Sequence, residues 1–228
     1  MTPPRFGEVK HLPVTQALRD YMVRHSSPLD PVTASLLDRT AELGHPALMQ
    51  VPAEQATLLT LLTSLTGATV AIDVGTFTGL SALSMARGLA PGGRVITCDV
   101  TDDWGIAREH WEKAGLTDVI DFRVGPALET LRSLPADLVV DIAFLDADKD
   151  NYENYYRLLH PRLRSGGLLL VDNVLFNGYV MAPDYADPGV MRDSAHALAA
   201  FNSVLAADES MDVVILPISD GLTVARKK

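Results

Sequence analysis

From Thr69 onward, short β-branched and apolar runs alternate with longer segments whose apolar residues recur every three or four positions. Runs at 70–74, 94–99, 120–124, 142–146 and 168–172 predict strands. The stretches 80–89, 103–114, 127–134 and 152–163 predict helices, each leaving through Gly, Pro or polar residues. Strands that alternate with crossover helices predict a parallel sheet, and the fold class expected is α/β, doubly wound and Rossmann-like.

After Asp172 the rhythm changes. Positions 178–189 form a loop containing Pro and Gly, followed by a helix over 191–207 and strands over 212–216 and 222–225. The last two are joined through Pro217, Ser219, Asp220 and Gly221, a connection so short that they must pair as an antiparallel hairpin. The expected sheet is therefore seven-stranded and mostly parallel. Extra helices are predicted before it, over 15–24, 31–43 and 53–65, and no internal repeat or low-complexity tract interrupts the chain.

A chain of 228 residues, 47% of them hydrophobic, can bury one sizeable core, and one domain is expected. The net charge of -10, from 29 acidic against 19 basic residues, repels both nucleic-acid phosphates and anionic lipid, so neither is an expected partner. The single cysteine, Cys98, can form no intramolecular disulfide and reads as a small apolar core residue of a reduced protein. MTPPRFGEVKHLP lacks the apolar centre of a signal peptide, and no apolar run reaches the length of a membrane span, so a soluble cytoplasmic protein is expected.

The first strand runs into Asp73-Val74-Gly75-Thr76-Phe77-Thr78-Gly79, a glycine-bearing turn that opens a helix and lets a ligand lie against the backbone. A dinucleotide fingerprint would need a second glycine where Phe77 stands, so a pyrophosphate is disfavoured. Asp99, at the end of the second strand, can accept from both hydroxyls of a ribose, and Asp73 can meet an ammonium group. One carboxylate for ribose and one for an amino-acid end suit S-adenosylmethionine. The plainer alternative is that the glycines serve a tight turn and Asp99 caps a loop.

Asp146 and Asp148 fall at the tip of the fourth strand, Asp172 and Asn173 at the tip of the fifth. In an open parallel sheet these carboxyl ends face the same crevice as the glycine turn. Asp146, Asp172 and Asn173 would supply three hard oxygen ligands suited to magnesium, manganese or calcium. No Cys or His pair stands at zinc spacing, and His160 and His196 fall in predicted helices as surface or packing residues. Against the metal reading stands the ordinary abundance of Asp and Asn in turns.

The segments LMQVPAEQATLL, AIDVGTFTGLSAL, GRVITCDV, GPALETL, FLDADKDNYENYY, GGLLLVDNVLFNG and LPISDGLTVARK run in order from about position 48 to the C-terminus. Together they resemble the metal-dependent class I O-methyltransferases typified by plant caffeoyl-coenzyme A O-methyltransferase, with catechol O-methyltransferase a more distant relative. The resemblance implies a single class I methyltransferase domain over 1–228, with an N-terminal helical cap at 1–47 and a catalytic core at 48–228. It implies metal ligation by Asp146, Asp172 and Asn173, with magnesium the first choice of cation. It further implies cofactor contacts from Val51, Asp73, Gly75, Thr76, Ser81, Asp99, Ala127 and Asp148, and substrate contacts from Asp146 and Asn177.

Lys149 stands where the catechol enzymes are understood to place a general base; near a dication its ammonium form would be disfavoured by like charge. A homodimer is a further family expectation. The usual family glutamate before the glycine turn is Asp73 here, one methylene shorter, and the match is loose before about Leu48, where Lys10 is a candidate contact for an acyl carrier.

The function so implied is methylation of one hydroxyl of a catechol or other vicinal diol, the acceptor being a small hydroxylated aromatic. The acceptor pocket is expected from the N-terminal segment and the loop 176–189. Two other readings stay open on the residues alone. A nicotinamide-dependent oxidoreductase would share the core but needs a dinucleotide turn, and a non-catalytic nucleoside-binding protein would keep the turn and Asp99 without needing the acids at 146 and 172.

Overall fold

A computed structural model of the chain describes residues 13–228. Seven strands form one sheet in the order β3-β2-β1-β4-β5-β7-β6. β1 (Val70–Val74), β2 (Arg94–Asp99), β3 (Ile120–Val124), β4 (Val140–Leu145) and β5 (Leu163–Val171) pair in parallel. β6 (Met211–Leu216) and β7 (Leu222–Lys227) form the expected hairpin, with β7 antiparallel to β5. β1 hydrogen-bonds both β2 and β4, so the direction of winding reverses between β1 and β4. A reversal of this kind opens a crevice at the carboxyl ends of the strands.

Alternation along the strands feeds two apolar layers, because successive side chains point to opposite faces. Ile72, Val74, Ala143, Leu145, Leu169 and Val171 pack under α6 (Ala127–Ser133), α7 (Tyr152–Leu159) and α8 (Val190–Ala206). Ala71, Ile142, Phe144 and Leu170 pack on the other face, under α2 (Pro31–Ala41), α3 (Ala53–Leu65), α4 (Leu80–Gly88) and α5 (Ile106–Lys113). Leu36 of α2 and Leu59 of α3 are fully buried in that second layer, so the helices ahead of β1 share the core of the sheet. α1 (Gln16–Arg24) buries no residue and is tied to α3 through Arg19 and Glu54, whose Nε–Oε1 distance is 2.9 Å.

Element boundaries moved where local chemistry overrode the apolar pattern. α7 ends at Leu159 and not at 163, since Pro161 lacks the N–H that another helical turn requires. α5 starts at Ile106 and not at 103, behind Gly105 in a left-handed conformation at φ 66°. β5 begins at Leu163, five residues before the apolar run, and its pairing with β4 shifts register between Val140 and Ile142. β4 stops at Leu145, which leaves Asp146 just beyond the strand at its tip. The stretch 178–189 is irregular as expected, apart from short 3-10 turns at Phe176–Met181 and Pro183–Tyr185. Among the described residues no helix is long and apolar enough to cross a membrane.

Candidate active site

The glycine turn closes directly over β4. The Gly75 N–H donates to the Cys98 carbonyl at 2.9 Å, and the Asp146 N–H donates to the Val74 carbonyl at 2.8 Å. Gly75 has φ 103°, and a methyl group on it would lie 1.9 Å from the Asp146 carbonyl oxygen. Only a residue without Cβ fits. Gly79 meets the second constraint of the turn, since a Cβ there would lie 2.8 Å from the Trp111 ring, whose indole N–H donates to the Gly79 carbonyl at 3.0 Å.

Asp73 sits beneath this turn, wholly buried. Its Oδ2 accepts from the Thr97 hydroxyl at 2.7 Å and from the Ser81 hydroxyl at 3.0 Å, while Oδ1 has no partner. Burial pushes its pKa up to about 7 against those two hydrogen bonds, and the charges of Asp146 and Asp99 add to the rise. Thr76, also buried, shares a 2.6 Å hydrogen bond with Thr97 and so stiffens the same cluster. Asp99 holds the turn from the other side: its Oδ2 accepts from the Phe77 N–H at 2.7 Å, and its Oδ1 has only the longer 3.4 Å contact from the Thr101 N–H. Val51, Gly75, Thr76, Ser81 and Asp146 line one cleft.

Ala127 opens α6 next to this edge, where the Gly125 N–H donates to the Asp99 carbonyl at 2.8 Å. Asp148 is engaged internally, accepting from the Tyr155 hydroxyl and from the Asn151 amide.

The strand tips of β4 and β5 meet as expected. The Lys149 ammonium donates to Asp146 Oδ1 and to the Tyr152 hydroxyl, both at 2.8 Å, and that hydroxyl donates to the Asp172 carbonyl at 3.2 Å. Asp172 is buried, with its Oδ1 accepting from the Asn173 N–H at 2.7 Å and its Oδ2 from the Gln55 amide at 2.6 Å. Burial raises the Asp172 pKa, and the neighbouring Asp146 charge raises it further. Asn173 adopts φ 57°, a left-handed conformation tolerated best by Asn among side-chain-bearing residues. Among the described residues no group of three His, Cys, Asp or Glu side chains could hold a metal ion.

Asn177 is exposed, and its backbone N–H donates to Asp220 Oδ1 at 2.6 Å. Lys10 lies outside the described residues. His160 and His196 bond to Ser210 at 2.9 Å and Asp184 at 3.0 Å, as packing and surface residues. A cavity of about 310 Å³ lies between α8 and the β6–β7 edge and is lined by none of these carboxylates.

Residues 23–228 match the family model described as O-methyltransferase. The chain belongs to the O-methyltransferase family. Caffeoyl-CoA O-methyltransferase 2 of Zea mays is 36% identical over 98% of this chain and 88% of its own. Among solved structures, the O-methyltransferase of Bacillus cereus in complex with SAH superposes with a TM-score of 0.83 at 29% identity, covering 93% of this chain and 97% of that one. An O-methyltransferase of tomaymycin synthesis from Streptomyces achromogenes, in complex with SAM, gives a TM-score of 0.82 at 26% identity over 93% and 96% of the two chains. The protein is thus an enzyme, an S-adenosylmethionine-dependent O-methyltransferase, and the oxidoreductase and non-catalytic readings are disfavoured.

The sequence assigns no functional role to three side chains near Lys149 and Asp172. Tyr152 follows Lys149 by one helical turn and carried a faint signal in that spacing. Asp220 reads in the sequence as a turn residue, yet its partial burial raises its pKa while the Asn177 N–H and the charge of Lys149 oppose the rise. Gln55 carried no signal, because nothing in an amphipathic pattern tells which polar residue of α3 turns inward.

Proposed function

We propose that this O-methyltransferase methylates one hydroxyl of a catechol or similar vicinal diol, on a small aromatic acceptor, with a divalent cation bound by Asp146, Asp172 and Asn173. The observation that carries the reading is the meeting of two acidic strand tips around a cation: the Lys149 ammonium lies 2.8 Å from Asp146 beside the buried Asp172. Hard oxygen donors of this kind suit magnesium first, with manganese or calcium next. The residues around Asp73 likewise fit the methyl donor, because its buried Oδ1 lacks a donor and an ammonium group would supply one. Asp99 Oδ1, free but for one long contact, suits a ribose hydroxyl. Val51, Gly75, Thr76 and Ser81 form the rest of that wall, with Ala127 and Asp148 assigned to its adenosine side.

The donor supplies a sulfonium methyl and the cation lowers the pKa of a hydroxyl. What the chain itself supplies is position and proton transfer. Asp73, Asp99 and the Gly75 turn fix the donor, and Asn177 and the loop 176–189 bound the acceptor side. Holding the two reactants in line is worth roughly 7–11 kcal/mol in well-oriented models. Lys149 Nζ, once its ammonium has lost a proton to solvent, would take the hydroxyl proton, with the Tyr152 hydroxyl holding it in place. A cytosolic homodimer completes the reading, on the family resemblance and the single reduced Cys98; sedimentation of the purified chain tests the dimer.

The deciding experiment is a methylation screen of catechols, caffeoyl thioesters and free acids with magnesium present and then chelated. Activity that needs the metal and a neighbouring hydroxyl is expected. Equal methylation in excess chelator would remove the cation from the reading.

Asp73 makes the donor site sensitive to pH. Its folded-state pKa of about 7 is above the ordinary carboxylate value, so it favours folding below about 4 and this contribution is lost as pH rises through 7. An incoming ammonium favours the carboxylate form. Binding of S-adenosylmethionine at pH 7 is therefore expected to release protons to buffer, and affinity should weaken by up to about tenfold per unit below pH 7. Calorimetry in two buffers of different ionisation enthalpy reads the proton release, and Asp73→Asn should abolish it.

A further inference from the structure

Gln55 lies in the first turn of α3, and its side chain is wholly buried. Its Nε2 donates to Asp172 Oδ2 at 2.6 Å across 117 residues of sequence, and its Oε1 has no partner. Buried amides normally satisfy both ends. If filling space were all that position 55 required, a Leu or Met of similar volume would leave no orphaned carbonyl. The single bond the amide makes is to a carboxylate of the proposed cation site, and since a carboxylate only accepts, the amide must face it with its nitrogen.

The two Asp172 oxygens are thereby held from two directions, Oδ1 by the Asn173 N–H at 2.7 Å and Oδ2 by Gln55. Each bond uses one lone pair and leaves others free on the same oxygens. A ligand so held cannot swing when it meets a cation, and loss of such an outer partner typically weakens metal binding 10- to 100-fold.

We infer that Gln55 is a positioning residue for the cation site: α3, from the N-terminal third of the chain, sets the affinity for a divalent cation by orienting the Asp172 carboxylate. The inference rests on the reading of Asp172 as a cation ligand. Gln55→Met keeps the length and removes the donor. Titration calorimetry of the full chain with magnesium chloride alone, and separately with S-adenosylmethionine, reads the two sites without any acceptor.

Magnesium affinity is expected to fall about tenfold or more in Gln55→Met, with S-adenosylmethionine affinity within about threefold of wild type. Unchanged magnesium affinity, or an equal loss at both sites, would overturn the inference. If Gln55→Met does not fold, Gln55→Asn is measured in its place; it keeps the amide but falls one methylene short of Asp172, and it should show the same selective loss. A wild-type chain that binds no magnesium would instead sink the cation reading itself, a result distinct from equal binding by wild type and variant.

Discussion

Lys149→Ala is expected to lower kcat by roughly 10²- to 10⁴-fold at saturating acceptor and donor, the range over which a positioned general base acts. The side chain is 16% exposed and anchored by two 2.8 Å hydrogen bonds, to Asp146 and to Tyr152, so a water molecule replacing it would lack its fixed position. Donor affinity should change little, since the amino group touches none of Asp73, Ser81, Thr97 or Asp99. Lys149→Arg separates proton transfer from simple charge. A guanidinium stays protonated at every accessible pH, so a base cannot be restored by arginine whereas an electrostatic role can. Steady-state methylation measured on both variants decides it: full turnover by either would end the assignment of Lys149 as base.

Of the described glycines, Gly75 should tolerate an added methyl group least. The added carbon would sit 1.9 Å from the Asp146 carbonyl oxygen, which is backbone at the tip of β4 and cannot rotate away. The φ of 103° costs a side-chain-bearing residue about 1–3 kcal/mol, and overpacking adds about 1–3 kcal/mol more. For a chain of this size that corresponds to a fall in Tm on the order of 10 °C. The displaced segment carries both the donor turn and Asp146, so donor binding should be lost with it. Calorimetric Tm and titration with S-adenosylmethionine check both halves, and a variant that melts and binds like wild type would show that the close approach is not required.

These two positions were legible in the sequence for different reasons. Gly75 ends a β-branched run and opens a helix, a local arrangement that constrains the backbone wherever it occurs. Lys149 carries no such local mark; only the resemblance of FLDADKDNYENYY to a known family points to it. The strands were readable because apolar β-branched runs report burial directly, and Val70–Val74 and Arg94–Asp99 were placed to the residue. Boundaries failed where one residue outweighed the pattern, as at Pro161 after α7 and Gly105 before α5.

By itself the sequence determined the alternation of strands and helices, the closing hairpin, and the acids and glycines at the strand tips, because each depends on residues near one another in the chain. Only the tertiary structure decided that the winding reverses between β1 and β4, which brings Gly75 and Asp146 to one cleft. It alone decided that Gln55 reaches Asp172, that Asp99 Oδ2 is taken by the Phe77 N–H, and that the Asp220 turn is held against the loop after β5 through the Leu175 N–H at 2.9 Å. The physical reason is common to all of these: periodicity records which face of an element is buried, but a polar side chain turns inward only when a partner arrives from a distant element.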